Sequence, residues 1–262
     1  MKGALIIFRK EFEEIRRIRS VYLTIFLVPL GLMTASATIF NFAIMEGSFQ
    51  RINVEALRRF VPDSGGMPPS ELALTFLANQ FLIYYLLIPV AVSNIVASYS
   101  IIGEKLQRTL EPILATPIDD EEILMGKALA GIIPGLATTY GSFLLYTVVV
   151  DYLAYPFTGT LILPNVVWIL AMLVHAPLLS FLSVMLLVLI SSRVSDIRAA
   201  QQIGVVIVLP LIGLFVAQVA GVLVLGLLVF ALLGLILAGV DVIIFRVSRR
   251  VFDRENILTK WK

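Results

Sequence analysis

Long uncharged stretches alternate with short charged ones along almost the whole chain, and their lengths identify the elements. Ser20–Met45 is 26 residues without a charge, Leu72–Ile102 is 31 and Ala128–Val150 is 23. Each exceeds the ~20 apolar residues that a helix needs to cross a bilayer. Tyr152–Ser192 is 41 uncharged residues, but Pro156, Gly159, Pro164 and Asn165 break its first third, so the span is placed at 166–190. Ala199–Val240 is 42 more. At 1.5 Å per residue a single helix of that length would run roughly 63 Å, about twice the hydrocarbon thickness. It is therefore divided into spans at 199–217 and 222–245, with a turn over Gln218–Gly221. The expected fold is an all-α integral membrane protein of six transmembrane helices, with spans at 20–45, 72–102, 128–150, 166–190, 199–217 and 222–245.

Before the first span, Leu5, Phe8, Phe12 and Ile15 recur at helical spacing, with Lys10, Glu13, Glu14 and Arg17 on the other side. This pattern predicts an amphipathic helix over 1–19 lying in the membrane interface, either as a plain anchor or as a docking element for a partner. Leu5–Phe8 is too short for the core of a signal peptide and no small-residue cleavage site follows, so the first span is expected to direct its own insertion.

Composition and charge then set orientation. The chain is 59% hydrophobic and 15% charged, with mean hydropathy +0.98, against about 25% charged residues in soluble domains. Lysine and arginine number seventeen in the segments on one side of the six spans and three on the other, all three in the loop 46–71. By the positive-inside rule both termini are expected in the cytoplasm, and the membrane is taken as the plasma membrane. The net charge of +2 gives no reason to expect nucleic acid. The loop 46–71 is expected to hold a short helix over Asn53–Phe60 and to serve as a lid or as an inert connector.

Enzyme chemistry finds little support. There is no cysteine and one histidine, His175, so neither a zinc-protease ligand set nor a serine–histidine pair is available. Gly126-Lys127 is not a phosphate loop, because Glu121 stands where the first glycine belongs and Ala128 follows the lysine. The acidic run Asp119–Glu122 reads as charge placed at a helix start, with Thr116 as its cap and Pro117 at its first position, and not as a metal site. No cofactor is expected. Among polar residues inside spans, Asn94 and His175 are the deepest, as helix-interface bonds or as contacts along a transport pathway. Asp241 is expected to pair with Arg246, and Gln218 to be hydrated near an outer helix end.

The connection 103–127, GEKLQRTLEPILATPIDDEEILMGK, is the most distinctive stretch. Leu106, Leu110 and Ile113 or Leu114 describe one apolar helical face, while Glu104 and Arg108 stand four apart on another. The pattern E-K-x-x-x-T-L-E-x-x-L-A-T-P-I of Glu104–Ile118, with the acidic start and Gly126-Lys127 that follow, resembles the first cytoplasmic loop of the ABC-2 type membrane subunits of ATP-binding cassette transporters. The resemblance covers nearly the whole chain, from the interfacial helix to the basic tail 246–262. It implies a permease subunit, expected to be an exporter, that pairs with a second permease copy or a close relative and with two copies of a cytoplasmic ATPase. It also implies coupling through the loop, with Glu104, Arg108, Thr109, Leu110, Glu111, Thr116 and Pro117 as the coupling residues. Arg193, Asp196 and Arg198 in the second inner loop are further contacts on this reading. ATP hydrolysis then belongs to the partner. The scarcity of buried charge favours a hydrophobic or amphiphilic substrate. The competing reading is a stand-alone secondary transporter or channel driven by an ion gradient, which would need a protonatable carboxylate deep in a span.

Overall fold

The computed structural model describes residues 2–47, 57–58, 61, 65–107, 109, 112, 116–191, 193–194, 196–220 and 226–252. Among these there is helix and no strand, and six helices are long and apolar enough to cross a membrane. Helix α1, Lys2–Arg17, meets α2, Arg19–Met45, at the extended residue Ile18. The second span is α3, Pro69–Gln80, continued after Phe81 by α4, Leu82–Gln107. The third is α5, Asp120–Thr158, whose 39 residues make a rod of roughly 58 Å that projects well beyond a bilayer core.

The fourth span opens as α6, Val166–Leu170, passes through a single π-helical turn, Ala171–His175, and continues as α7, Ala176–Ser191. Pro177 supplies the physical reason for the turn. It has no N–H for the carbonyl one turn back, and the ladder widens so that the Ala176 N–H reaches the Ala171 carbonyl. The fifth span is α8, Ile197–Gly204, then a short 3-10 turn, Val205–Ile207, then α9, Val208–Val219. The sixth is α10, Leu227–Val251.

Burial ranks these helices. The second span is the axis of the bundle, buried on nearly every face, whereas α2, α8–α9 and α10 bury only a narrow stripe. A helix apolar all round must be enclosed or face lipid, and here the enclosed one is wrapped by α2, α5, α7 and α8. At one end of the bundle an aromatic group, Tyr85, Tyr146, Trp168 and Phe143, closes the core, with ring centroids 5.0–5.7 Å apart. Beside it Asn79 Oδ1 accepts from Asn165 Nδ2 at 2.9 Å and from Trp168 Nε1 at 3.0 Å. Asp151 accepts from the Ile162 and Leu163 N–H groups at 2.9 and 3.0 Å, which fixes the chain after the left-handed cap at Gly159 (φ 69°).

Several expectations are corrected. The third-span helix does not start at a Thr116 cap with Pro117 in its first turn. It starts at Asp120, and the Ile123 N–H donates to the Asp119 carbonyl at 3.0 Å. Ile118, just before this start, packs against the apolar cluster beneath α1. On α1, Leu5 and Phe12 point outward. The stripe facing the protein is Gly3, Ile7, Glu11 and Ile15, four residues apart. Gln218 is buried, and neither oxygen of Asp241 has a hydrogen-bond partner, so the Arg246 pairing is not made. The short helix expected over Asn53–Phe60 falls largely outside the described residues.

The fit of α1 against α5 depends on Gly126. A Cβ there would stand 2.6 Å from Ile7 Cβ and 2.7 Å from the Ala4 carbonyl oxygen, closer than side chains approach. Gly126→Val is therefore expected to push α1 off α5 at a cost of about 1–3 kcal/mol. Limited trypsinolysis reads this as cleavage within Lys2–Arg17 faster by about tenfold. An unchanged cleavage rate would mean that α1 does not depend on this contact.

Candidate functional site: a braced connection between the second and third spans

The connection 103–127 joins the end of α4 to the projecting start of α5, and α1 lies across both. Each element brings one charged side chain to their common boundary. Glu104 is in the last turn of α4, Lys127 stands two turns into α5, and Glu11 is on the inward stripe of α1. The Lys127 side chain is 0% exposed. Its ammonium donates to Glu11 Oε1 at 2.8 Å, to Glu104 Oε2, and to the Ser100 carbonyl at 3.1 Å. Lys10 extends the network from its half-buried position, reaching Glu104 Oε1, Glu14 at 3.0 Å and Glu11 at 3.3 Å.

Burial is the largest single influence on the Glu11 carboxyl and pushes it up, but the field of the Lys127 ammonium, with side-chain hydrogen bonds to Glu104, Lys127 and Ser100, together outweighs it and holds the group down to about 2. Burial likewise opposes the charge on Lys10, and the hydrogen bond and field of Glu104, together with Glu11, overcome it and raise that group. Glu11 therefore contributes stability above the ordinary carboxylate range, and this contribution is lost only as the pH falls toward 2. Carboxylate oxygens of Glu11, Glu14 and Glu104 lie within 4.8 Å of one another, a spacing that suits a divalent cation. The protein's own cations already serve them, since Lys10 contacts all three and Lys127 contacts two.

Two further ties spread from this point. Lys105 donates to the Ser191 and Val194 carbonyls at 3.2 and 3.4 Å, covering the end of α7. Arg249 of α10 pairs with Glu121 in the first turn of α5. Beside the Arg249–Glu121 pair a groove of about 660 Å³ opens, lined by Pro117, the acidic run Asp119–Glu122, Leu124, Arg249 and Phe252.

The predicted coupling residues divide accordingly. Glu104 is 4% exposed and engaged inward by Lys10 and Lys127. Thr109 is exposed, and its N–H closes α4 on the Glu104 carbonyl at 3.0 Å. Thr116 is half-buried and Pro117 exposed at the groove. Arg108, Leu110 and Glu111 lie outside the described residues. The two intramembrane candidates are held differently. Asn94 Nδ2 donates to the Gln201 carbonyl at 3.0 Å, and Gln201 Nε2 donates to Ser98 Oγ at 2.8 Å, which stitches the second span to α8. His175 Nδ1 donates to the Leu170 carbonyl at 3.4 Å, and its ring lines a separate apolar cavity of about 470 Å³.

Sequence reasoning missed Glu11, Lys10 and Lys127. A signal was present, because Glu11 falls in register with Gly3, Ile7 and Ile15, and a charge within an apolar stripe at spacing four asks for a buried partner.

Six apolar helices, one buried axis and a braced connection at one end define a multi-pass helical membrane protein with a reinforced end, and no arrangement of catalytic side chains among the described residues. Comparison with known families then places it. The profile described as ABC-2 family transporter protein matches residues 5–230, and the chain belongs to that family. It is thus a membrane subunit of an ATP-binding cassette transporter, a class whose members span the membrane and associate with an ABC ATPase. No curated protein and no solved structure matches the chain.

Removing one partner of a buried pair strands the others. Lys127→Met is expected to cost about 3–5 kcal/mol, seen as a melting temperature lowered by on the order of 10 °C in detergent. Adding Glu11→Gln and Glu104→Gln to Lys127→Met removes the stranded charges and is expected to recover most of that loss. If the single substitution melts like wild type, the network is not a structural tie.

Proposed function

We propose that the chain is the permease subunit of an ABC exporter in the plasma membrane, with both termini and the braced end in the cytoplasm. Two permease subunits, identical or closely related, enclose the pathway, and two ATPase copies dock beneath them. The uneven distribution of lysine and arginine supports this orientation. The observation that carries the reading is the Glu11–Lys127–Glu104 tie. A lever transmits force only if its base does not yield, and this tie makes α1, the end of α4 and the start of α5 one stiff base for the connection 103–127. ATP-driven closure of the ATPase dimer then presses on residues 108–119 and tilts the second and third spans together. Thr109, Thr116 and Pro117, with Arg108, Leu110 and Glu111, form the contact, and Glu104 acts by holding the base. The groove with Asp119–Glu122 on its wall offers the ATPase an acidic face. Arg193 and Arg198 add a basic one.

The scarcity of charge within the spans supports an amphiphilic or hydrophobic substrate. One observation favours the gradient-driven alternative, namely Asp241, a carboxylate 4% exposed inside the sixth span with no partner.

Purification in mild detergent separates the two. A stoichiometric ATPase whose hydrolysis follows the chain is expected, and Glu111→Lys is expected to lose that partner while still inserting in the membrane. A chain that purifies alone, without associated ATP hydrolysis, contradicts the permease-subunit assignment and shifts the work to a proton-linked route through Asp241.

A further inference from the structure

The elbow between α1 and α2 holds the densest positive charge in the chain. Arg16, Arg17 and Arg19 put three guanidiniums within four residues, which no other stretch of the sequence matches. All three are exposed. The nearest acids on α1 are engaged elsewhere, Glu13 by Arg9 at 3.6 Å and Glu14 by Lys10 at 3.0 Å. Among the described residues no carboxylate pairs with any of the three arginines.

The local backbone fixes how they point. Ile18 is the extended residue between the two helices, and its side chain packs inward on the core. Successive side chains alternate in extended backbone, so Arg17 and Arg19 turn outward on either side of it. Arg16 continues the outward face of α1, on which Leu5, Ile6, Arg9, Phe12 and Glu13 precede it at helical spacing. Two apolar surfaces meet at this elbow. Leu5 and Ile6 on α1 are 67% and 62% exposed, a face suited to the boundary between headgroups and acyl chains. On α2, Tyr22 and Phe26 stand one and two turns beyond Arg19, both exposed, their rings edge-on with centroids 5.0 Å apart. Exposed tyrosine at the end of a span marks the interface between membrane and water. The three guanidiniums therefore lie at the level of the lipid phosphates.

We propose that the elbow binds one anionic phospholipid of the leaflet at the braced end, its phosphate among Arg16, Arg17 and Arg19 and an acyl chain along Tyr22 and Phe26. The guanidinium fork matches phosphate oxygens two at a time. A zwitterionic headgroup brings its own ammonium into the cationic patch and is disfavoured there. The exposed rings beside the charges select a lipid over a soluble phosphate. Because Glu11 and Ile15 face the protein from the other side of α1, the lipid holds that helix down on the Lys127 tie from outside. Binding needs only this chain, so a failure here leaves the ATPase partnership standing, and the reverse.

The test is native mass spectrometry of the purified chain in detergent micelles that hold equal amounts of phosphatidylglycerol and phosphatidylcholine with the same acyl chains. Wild type is expected to retain one phosphatidylglycerol, favoured on the order of a hundredfold if each arginine contributes about fivefold. Arg16→Gln, Arg17→Gln and Arg19→Gln together are expected to abolish the preference, and Arg19→Gln alone to lower it about fivefold. Arg193→Gln with Arg198→Gln removes two exposed arginines from the second inner loop and is expected to leave it intact. Phosphatidylglycerol should also raise the melting temperature of wild type and not of the triple variant. Equal retention of the two lipids by wild type overturns the proposal, as does a preference lost equally in the Arg193 and Arg198 variant. Displacement by glycerophosphoglycerol, the headgroup without its chains, as readily as by added phosphatidylglycerol also overturns it, in favour of a soluble-phosphate site. If the triple variant fails to insert, the wild-type comparison and Arg19→Gln still decide.

Discussion

Lys127 carries its ammonium into a place without solvent, and the charged end of the bundle is arranged around it. An isolated cation there would cost many kcal/mol, so the chain must bring carboxylates to it from other elements or lose the charge. Glu104 comes from one side of the connection and Glu11 from the N-terminal helix. Such a network adds little to stability over a well-packed apolar substitute, but it is demanding about geometry, because every member must be in place for any to be tolerated.

Packing and charge are coupled at this joint. Gly126 lets α1 approach α5 closely enough for Glu11 to reach Lys127 one residue further along. Lys105 and Arg249 then tie the neighbouring ends of α7 and α10 to the same corner. The opposite end is built around aromatic rings and amide hydrogen bonds. In the middle, the π-helical turn before Pro177 and the 3-10 turn at Val205–Ile207 loosen the fourth and fifth spans beside the apolar cavity. The bundle is thus tied by ion pairs at its charged end and irregular in backbone where it holds a cavity.

Much of the fold was legible because lipid imposes a simple rule. Every spanning segment must be a long uncharged helix, so counting uncharged residues located the six helices. The connection 103–127 was legible by its motif, and Asn94 and His175 by the cost of polar groups in lipid. What was not legible depended on three-dimensional contact. Apolar residues lie on more than one face of α1, so the expected stripe of Leu5, Phe8, Phe12 and Ile15 could not be told from the inward one of Gly3, Ile7, Glu11 and Ile15 without knowing where α5 lies. Asp241 has Arg246 five residues on, too far around the helix to share its face, and the pairing expected from proximity in sequence does not form. Glu104 looked like a surface residue because Arg108 follows it by one turn, whereas its partners lie 94 and 23 residues away.

Because the chain contains no cysteine, two can be introduced without background. Nitroxide labels at Arg9→Cys and Pro117→Cys report the distance between α1 and the start of the third span by pulsed electron resonance. If the Lys127 tie fixes this corner, the wild-type background gives one narrow distance distribution and Lys127→Met broadens it by several ångströms. A distribution that stays equally narrow after Lys127→Met would show that the corner is rigid without the tie, and that the account of the braced connection is wrong.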